Sequence, residues 1–168
     1  MAQDGETVLR GFESALPIAL LRAREATMRR FKGHVDAHGL TLPQWRVIRA
    51  LADGGPMDAR TLAERCVILP PSLTRIFRAL TEKGLIATVK TSDARRHAVR
   101  LTPAGAALYA EMAETSEAIY AELEAAFGSE EMATLLSLLT RLRETAEALP
   151  VSGSETASGT EPGPVLED

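Results

Sequence analysis

Ser72, Thr74, Arg75 and Arg78 lie off the apolar stripe of an amphipathic segment, and these residue types suit hydrogen bonding to nucleic acid. A guanidinium can donate two parallel bonds to guanine O6 and N7, while hydroxyls serve phosphates or base edges. Further along, Arg95, Arg96 and His97 stand at and beside the tip of a short basic hairpin. Arg95 at such a tip is placed to enter a minor groove, with Arg96 or His97 against phosphate. For Arg75 and Arg78 alone, a solvated helix face is the plain alternative. The hairpin beside them turns the reading towards double-stranded DNA.

A second set of residues has the chemistry of a small-molecule site. Arg24 falls within the stripe of Leu20, Met28 and Phe31, where an unpaired charge would cost roughly several kcal/mol. It therefore needs a carboxylate. One source is an ion pair across a dimer interface; the other is an aromatic carboxylate ligand, in a pocket shared with Met28, Phe31, Trp45 and Arg46. His34-x-x-x-His38 has metal-ligand spacing on a helix, but no nearby Cys or second cluster completes four ligands. It reads as a surface pair at a helix end, and no metal or cofactor is expected. Cys66 reads as a small core residue, with a redox switch as the alternative. No nucleophile stands with a base and an orienting group, and there is no phosphate loop, so an enzyme is not expected.

The elements that must position these residues are mainly helical. A helix is predicted over 14–37, closed by Gly39. Thr41-x-x-Gln44 spells a capping box for a second helix, which runs to about Ala52 before Asp53-Gly54-Gly55-Pro56. Asp58 caps a third helix and Pro70-Pro71 open a fourth, with Leu69, Leu73, Ile76, Phe77 and Leu80 as its apolar stripe. Two strands, Ile86 to Lys90 and His97 to Leu101, flank the turn 91–96. Thr102-Pro103 begin a fifth helix with a face of Leu108, Met112, Ile119, Leu123 and Phe127; Gly128-Ser129 separate it from a sixth. The expected fold is thus mainly α: a winged helix-turn-helix at 40–102 with flanking helices for dimerisation at 14–39 and 103–149. Residues 1–13 read as a flexible arm and 150–168 as a disordered acidic tail.

Composition supports this division. Hydrophobic residues make up 45% of the 168, but aromatics only 4%, which favours helix-on-helix packing. The net charge of −4 looks wrong for a DNA binder until it is divided along the chain. Residues 60–100 hold nine Lys/Arg against three Asp/Glu, a net of +6, whereas 101–168 hold two against thirteen, a net of −11. Phosphate contacts depend on the local charge. The lone cysteine excludes an internal disulfide, and no secretory signal or membrane span is spelled, so a cytoplasmic protein is expected.

Helix, helix, helix-turn-helix, wing and two long helices, in that order, resemble the MarR family of bacterial transcription regulators over roughly residues 14–148. The phrases LLRAREATM, LTLPQWRVIRAL, CVILPPSLTRIFRALTEKGLI and LTPAGAALYAEM are similar to the branch that regulates homoprotocatechuate degradation. The chain departs from the family in its acidic tail and in a shortened wing, Asp93-Ala94-Arg95-Arg96. The resemblance implies a homodimer on a pseudo-palindromic operator, released by a phenolic acid or its coenzyme A thioester. A redox regulator acting through Cys66, or a winged helix serving as a protein–protein scaffold, is the alternative.

Overall fold

The computed structural model describes residues 9–90 and 97–150. The arm before residue 9, the hairpin turn 91–96 with Arg95 and Arg96, and the tail beyond 150 lie outside the described residues. The chain divides into two compact units, one ending at Glu122 and the other beginning at Leu123.

In the first unit, a 3₁₀ turn at Phe12–Ser14 precedes helix α1, Leu16–Ala37. The helix starts two residues later than the apolar pattern predicts, because Pro17 belongs in a first turn, where its missing N–H is harmless. The predicted stripe along α1 is buried only at its C-terminal end, at Phe31 and Val35. Leu20 and Leu21 are exposed.

Helix α2, Leu42–Gly54, opens on the capping box as spelled. The Gln44 amide donates to Thr41 Oγ1, and Gln44 Oε1 accepts from the Thr41 amide. It outlasts the predicted end because Gly55, at φ 71°, makes the left-handed exit. Trp45, Val47, Ile48 and Leu51 are buried along it, each contributing about 1.5–3 kcal/mol by burial. Strand β1 is only Met57–Asp58, too short to show a period of two in the sequence.

Asp58 then caps helix α3, Ala59–Cys66, accepting from the Thr61 amide at 2.8 Å. Helix α4, Pro70–Glu82, buries Leu73 and Leu80, with Ile76 and Phe77 half-buried. Leu69 departs from its predicted place in that stripe. It precedes the helix as its N-cap and is 75% exposed.

Strands β2, Ile86–Lys90, and β3, His97–Leu101, pair antiparallel from Ile86 opposite Leu101 to Lys90 opposite His97. β1 adds to the far edge of β3, giving the order β1-β3-β2. The wing is tied to the next helix around Thr102, whose amide also donates to the Leu85 carbonyl at 3.0 Å. Thr102 Oγ1 donates to the Gly84 carbonyl at 2.6 Å and accepts from the Gly105 amide, so one hydroxyl both caps helix α5, Pro103–Phe127, and holds the approach to β2. Gly105 lies so close to the Leu85 carbonyl that a β-carbon would collide with it.

Helix α5 buries Gly105, Met112 and Ser116, a shorter face than the five residues the pattern proposed; Phe127 at its end is exposed. The second unit takes the last turn of α5 and helix α6, Ser129–Ala148. The break between them is Gly128, at φ 105°. No residue of α6 is buried, and Leu135, Leu136 and Leu138 stand exposed. Among the described residues, no helix is long and apolar enough to cross a membrane.

Candidate nucleic-acid face and ligand pocket

Helix α4 carries Ser72, Thr74, Arg75 and Arg78 on its surface, all four exposed. They differ in readiness. Thr74 Oγ1 is turned back to the Pro70 carbonyl at 3.1 Å, and Arg78 Nε donates to Glu82 at 2.9 Å one turn on. Arg75 has no such partner among the described residues. Among the described residues it has no bond to give up before forking onto a base or a phosphate, whereas a fork through Arg78 Nε would first break the bond to Glu82. His97 is exposed at the start of β3 and shares a shallow polar depression with Asp58 of β1 and with Arg60, Thr61 and Glu64 of α3. Arg95 and Arg96, expected at a hairpin tip, lie outside the described residues.

Of the proposed ligand-binding residues, the fold brings Met28, Phe31, Trp45 and Arg46 together. They line a small pocket of about 130 Å³ with Leu42, Arg49 and Tyr120, where α1, α2 and α5 meet. Arg24 is not in the lining. Its side chain is 54% exposed and paired with the adjacent Glu25, so the burial that made its charge informative does not occur within the protomer. The stripe is real, but its N-terminal half is uncovered.

Arg46 is half committed. Its Nη1 donates to the Cys66 carbonyl at 2.7 Å, fixing the end of α3 to α2. Arg49 is the cation the sequence reading missed. Its Nη1 donates to Tyr120 Oη at 2.7 Å, and its guanidinium carbon lies 5.5 Å from the centre of that ring. Tyr120 in turn packs on Phe31, ring centres 4.8 Å apart. Arg49 stands one turn beyond Trp45 on α2, a spacing that was legible. Its meeting with Tyr120, far along the chain, was not.

His34 and His38 are not simply a surface pair. His34 is half-buried and its Nε2 meets Ser116 Oγ of α5 at 3.1 Å. His38 ends α1, its Nδ1 on the His34 carbonyl at 2.7 Å and its Nε2 3.4 Å from Glu111. Burial, and secondarily the nearby His38, lowers the His34 pKa from its ordinary 6.5. Trp45 lies edge-on to His34 and tilted against Tyr109, so the pocket wall continues into this cluster. Cys66 is buried, its Sγ 3.8 Å from the Arg46 carbonyl. Burial pushes the thiol pKa up, against a weaker downward pull from Arg46 and Arg65. A thiol in that state is a poor nucleophile and a poor peroxide sensor.

A helix-turn-helix followed by a small antiparallel wing, with an arginine-bearing second helix, defines a winged-helix transcription regulator. The profile of the MarR family matches residues 38–97. The homoprotocatechuate degradative operon repressor of Escherichia coli is 43% identical over 126 residues, 74% of this chain and 85% of that one. The HTH-type transcriptional regulator FarR of Neisseria gonorrhoeae is 39% identical over 137 residues, 81% of this chain and 94% of that one. Among solved structures, NadR in complex with 4-hydroxyphenylacetate has a TM-score of 0.74 at 35% identity, covering 81% of this chain and all of the other. The chain belongs to the MarR family and is a transcription regulator.

Proposed function

We propose that this regulator is a cytoplasmic, homodimeric DNA-binding repressor, released from its operator by a small aromatic carboxylic acid. The pocket carries this reading. It combines aromatic walls at Phe31, Trp45 and Tyr120 with a cation at Arg49, already oriented by a phenol. An apolar cavity of roughly 150 Å³ takes one benzene ring. A pocket of about 130 Å³ has room for little more than the ring, so the carboxylate of a single-ring acid would lie at its mouth, on the exposed Arg49 and on Tyr120 Oη. A coenzyme A thioester fits less well, since it lacks the carboxylate and its bulk would have to stay outside. The relatives are consistent with this: one 43% identical regulator bears the name of an aromatic catabolic operon, and the 35% identical NadR was crystallised with 4-hydroxyphenylacetate.

The pocket can act on DNA binding because its walls are structural. Trp45 and Arg46 belong to α2, and Arg46 also grips the end of α3 through the Cys66 carbonyl. A ligand that moves Arg46 or Arg49 shifts α3, and with it α4, relative to α1 and α5. In a dimer that changes the spacing of two recognition helices. The exposed leucines of α1, and separately those of α6, are the surfaces a second copy would cover.

The test is release of a bound operator duplex by 4-hydroxyphenylacetate, followed by fluorescence anisotropy in wild type, Arg49→Ala and Arg24→Ala. Arg24 lies one turn before Met28 on α1 and is the competing cation. Loss of release in Arg49→Ala with duplex binding intact supports the pocket as described. Loss in Arg24→Ala alone moves the carboxylate to Arg24. Unchanged release in both refutes the site.

A further inference from the structure

We propose that the tip of α4 reads thymine, seating Leu69 and Val67 against 5-methyl groups in the major groove. This deepens the DNA-binding reading above and rests on it. Three observations meet at that corner. Val67 is 85% exposed and Leu69 75%, although both are large and apolar. They continue into an apolar groove of about 820 Å³ between α3 and α4, lined by Ala63, Ile68, Leu73 and Phe77. Val67 also holds φ 50° and ψ 55°, a left-handed conformation that a β-branched residue avoids. Strain kept together with exposed apolar surface points to a binding role.

The same tip is short of hydrogen-bond donors. A helix N-terminus ordinarily offers its free N–H groups to phosphate. Here the first two positions are Pro70 and Pro71, which have none, and Leu69 supplies no side-chain cap. Ser72 is the first residue of the helix with a main-chain N–H, and the Leu73 N–H is already given to the Leu69 carbonyl at 3.0 Å. Phosphate therefore gains little at this end. The N-terminal residues of a recognition helix are those that meet base edges, and the apolar feature a base pair shows in the major groove is the thymine methyl. The corner is continuous with the Ser72 and Arg75 face, inside the stretch of net charge +6 that draws the duplex in. That charge is what favours a duplex over an acyl chain or an apolar peptide, which the apolar surface alone would suit equally.

The test starts from duplexes selected out of a random pool by the full-length protein, remade with deoxyuridine in place of each thymine in turn. Wild type should lose about fourfold in affinity at one or two thymines of a half-site, the effect of one buried methyl. Leu69→Ala should bind thymine and uracil alike at those positions. Val67→Gly removes a side chain while relieving the left-handed strain, and so serves as a second, well-folded variant. Equal binding of thymine and uracil duplexes by wild type overturns the proposal. So does a methyl effect that persists undiminished when Leu69→Ala and Val67→Gly are combined, and the groove then belongs to another occupant. Selection that enriches no duplex removes the DNA-binding reading itself; enrichment without methyl dependence removes this inference alone.

Discussion

Arg75 and Arg78 share a helix face and a charge but not a state, and their substitution should show it. Arg78 Nε is engaged by Glu82, so a fork through that nitrogen would first give up the bond, and an exposed pair one turn apart holds it only weakly. Arg75 has no such partner among the described residues. Arg75→Ala should cost about 1–3 kcal/mol on the selected duplex and relax preference at one base pair. Arg78→Ala should cost less and fall more evenly across sequences. Competition with single-base variants of the duplex distinguishes the two, and an even loss from both would remove base readout by Arg75. At this scale, the sequence revealed residue types better than surroundings. Arg24 looked buried because its stripe looked buried, yet the fully buried residues of α1 are Phe31 and Val35 and its N-terminal half stands open. Arg49 passed unnoticed because its significance lies in Tyr120, which no local pattern connects to it. His34 shows the same limit, since its contact with Ser116 is a long-range one.

That histidine gives a signed pH prediction. Its folded pKa lies below the ordinary 6.5, so the unfolded chain takes up the proton first as pH falls. The contribution of neutral His34 is complete above 6.5 and is lost on acidification through the window down to its folded pKa. Urea midpoints should therefore fall between neutral and mildly acidic pH, and His34→Gln should flatten that dependence. An unchanged slope in the variant would assign the acid sensitivity to another group.

Among the elements, caps and turns were the most legible features, because their chemistry is local. Thr41 with Gln44, Asp58, Thr102 and the Gly128 break each sit where the sequence put them. The wing strands have the expected bounds as well. What escaped was the two-residue strand β1, held only by its pairing with β3, and the left-handed Val67 where a glycine would be easier. Val67→Gly should accordingly raise the free energy of urea unfolding, by up to about 1 kcal/mol once glycine's extra unfolded entropy is allowed for. Gly105→Ala should do the opposite. Its new methyl meets the main-chain carbonyl of Leu85, which cannot rotate aside as a side chain would. A loss of about 1–3 kcal/mol in urea unfolding is expected, the usual effect of overpacking. A neutral result would mean that the α5 junction gives way easily, and that the wing is not rigidly referred to α5.

For the whole molecule, charge division is the informative property. A chain of net −4 carries +6 within 60–100, the stretch that contains α4 and the wing, and −11 from residue 101 onward. Phosphate should therefore meet one part of the surface and be repelled by another. The apolar residues left open on α1, and separately on α6, imply a second copy, so sedimentation at micromolar concentration should report a dimer. A dimer also predicts an imperfect palindrome with half-sites roughly 34–36 Å apart. The most direct test of the account is the affinity of the full-length protein for its selected duplex across a salt series. Cations on α4 and the wing that replace condensed counterions should make the logarithm of affinity fall linearly with the logarithm of salt, with a slope near −0.9 for each phosphate neutralised. A steep slope with several phosphates engaged is the predicted result. Affinity that is weak at low salt and indifferent to its increase would contradict the central claim, and the winged helix would have to be explained as a surface for another protein.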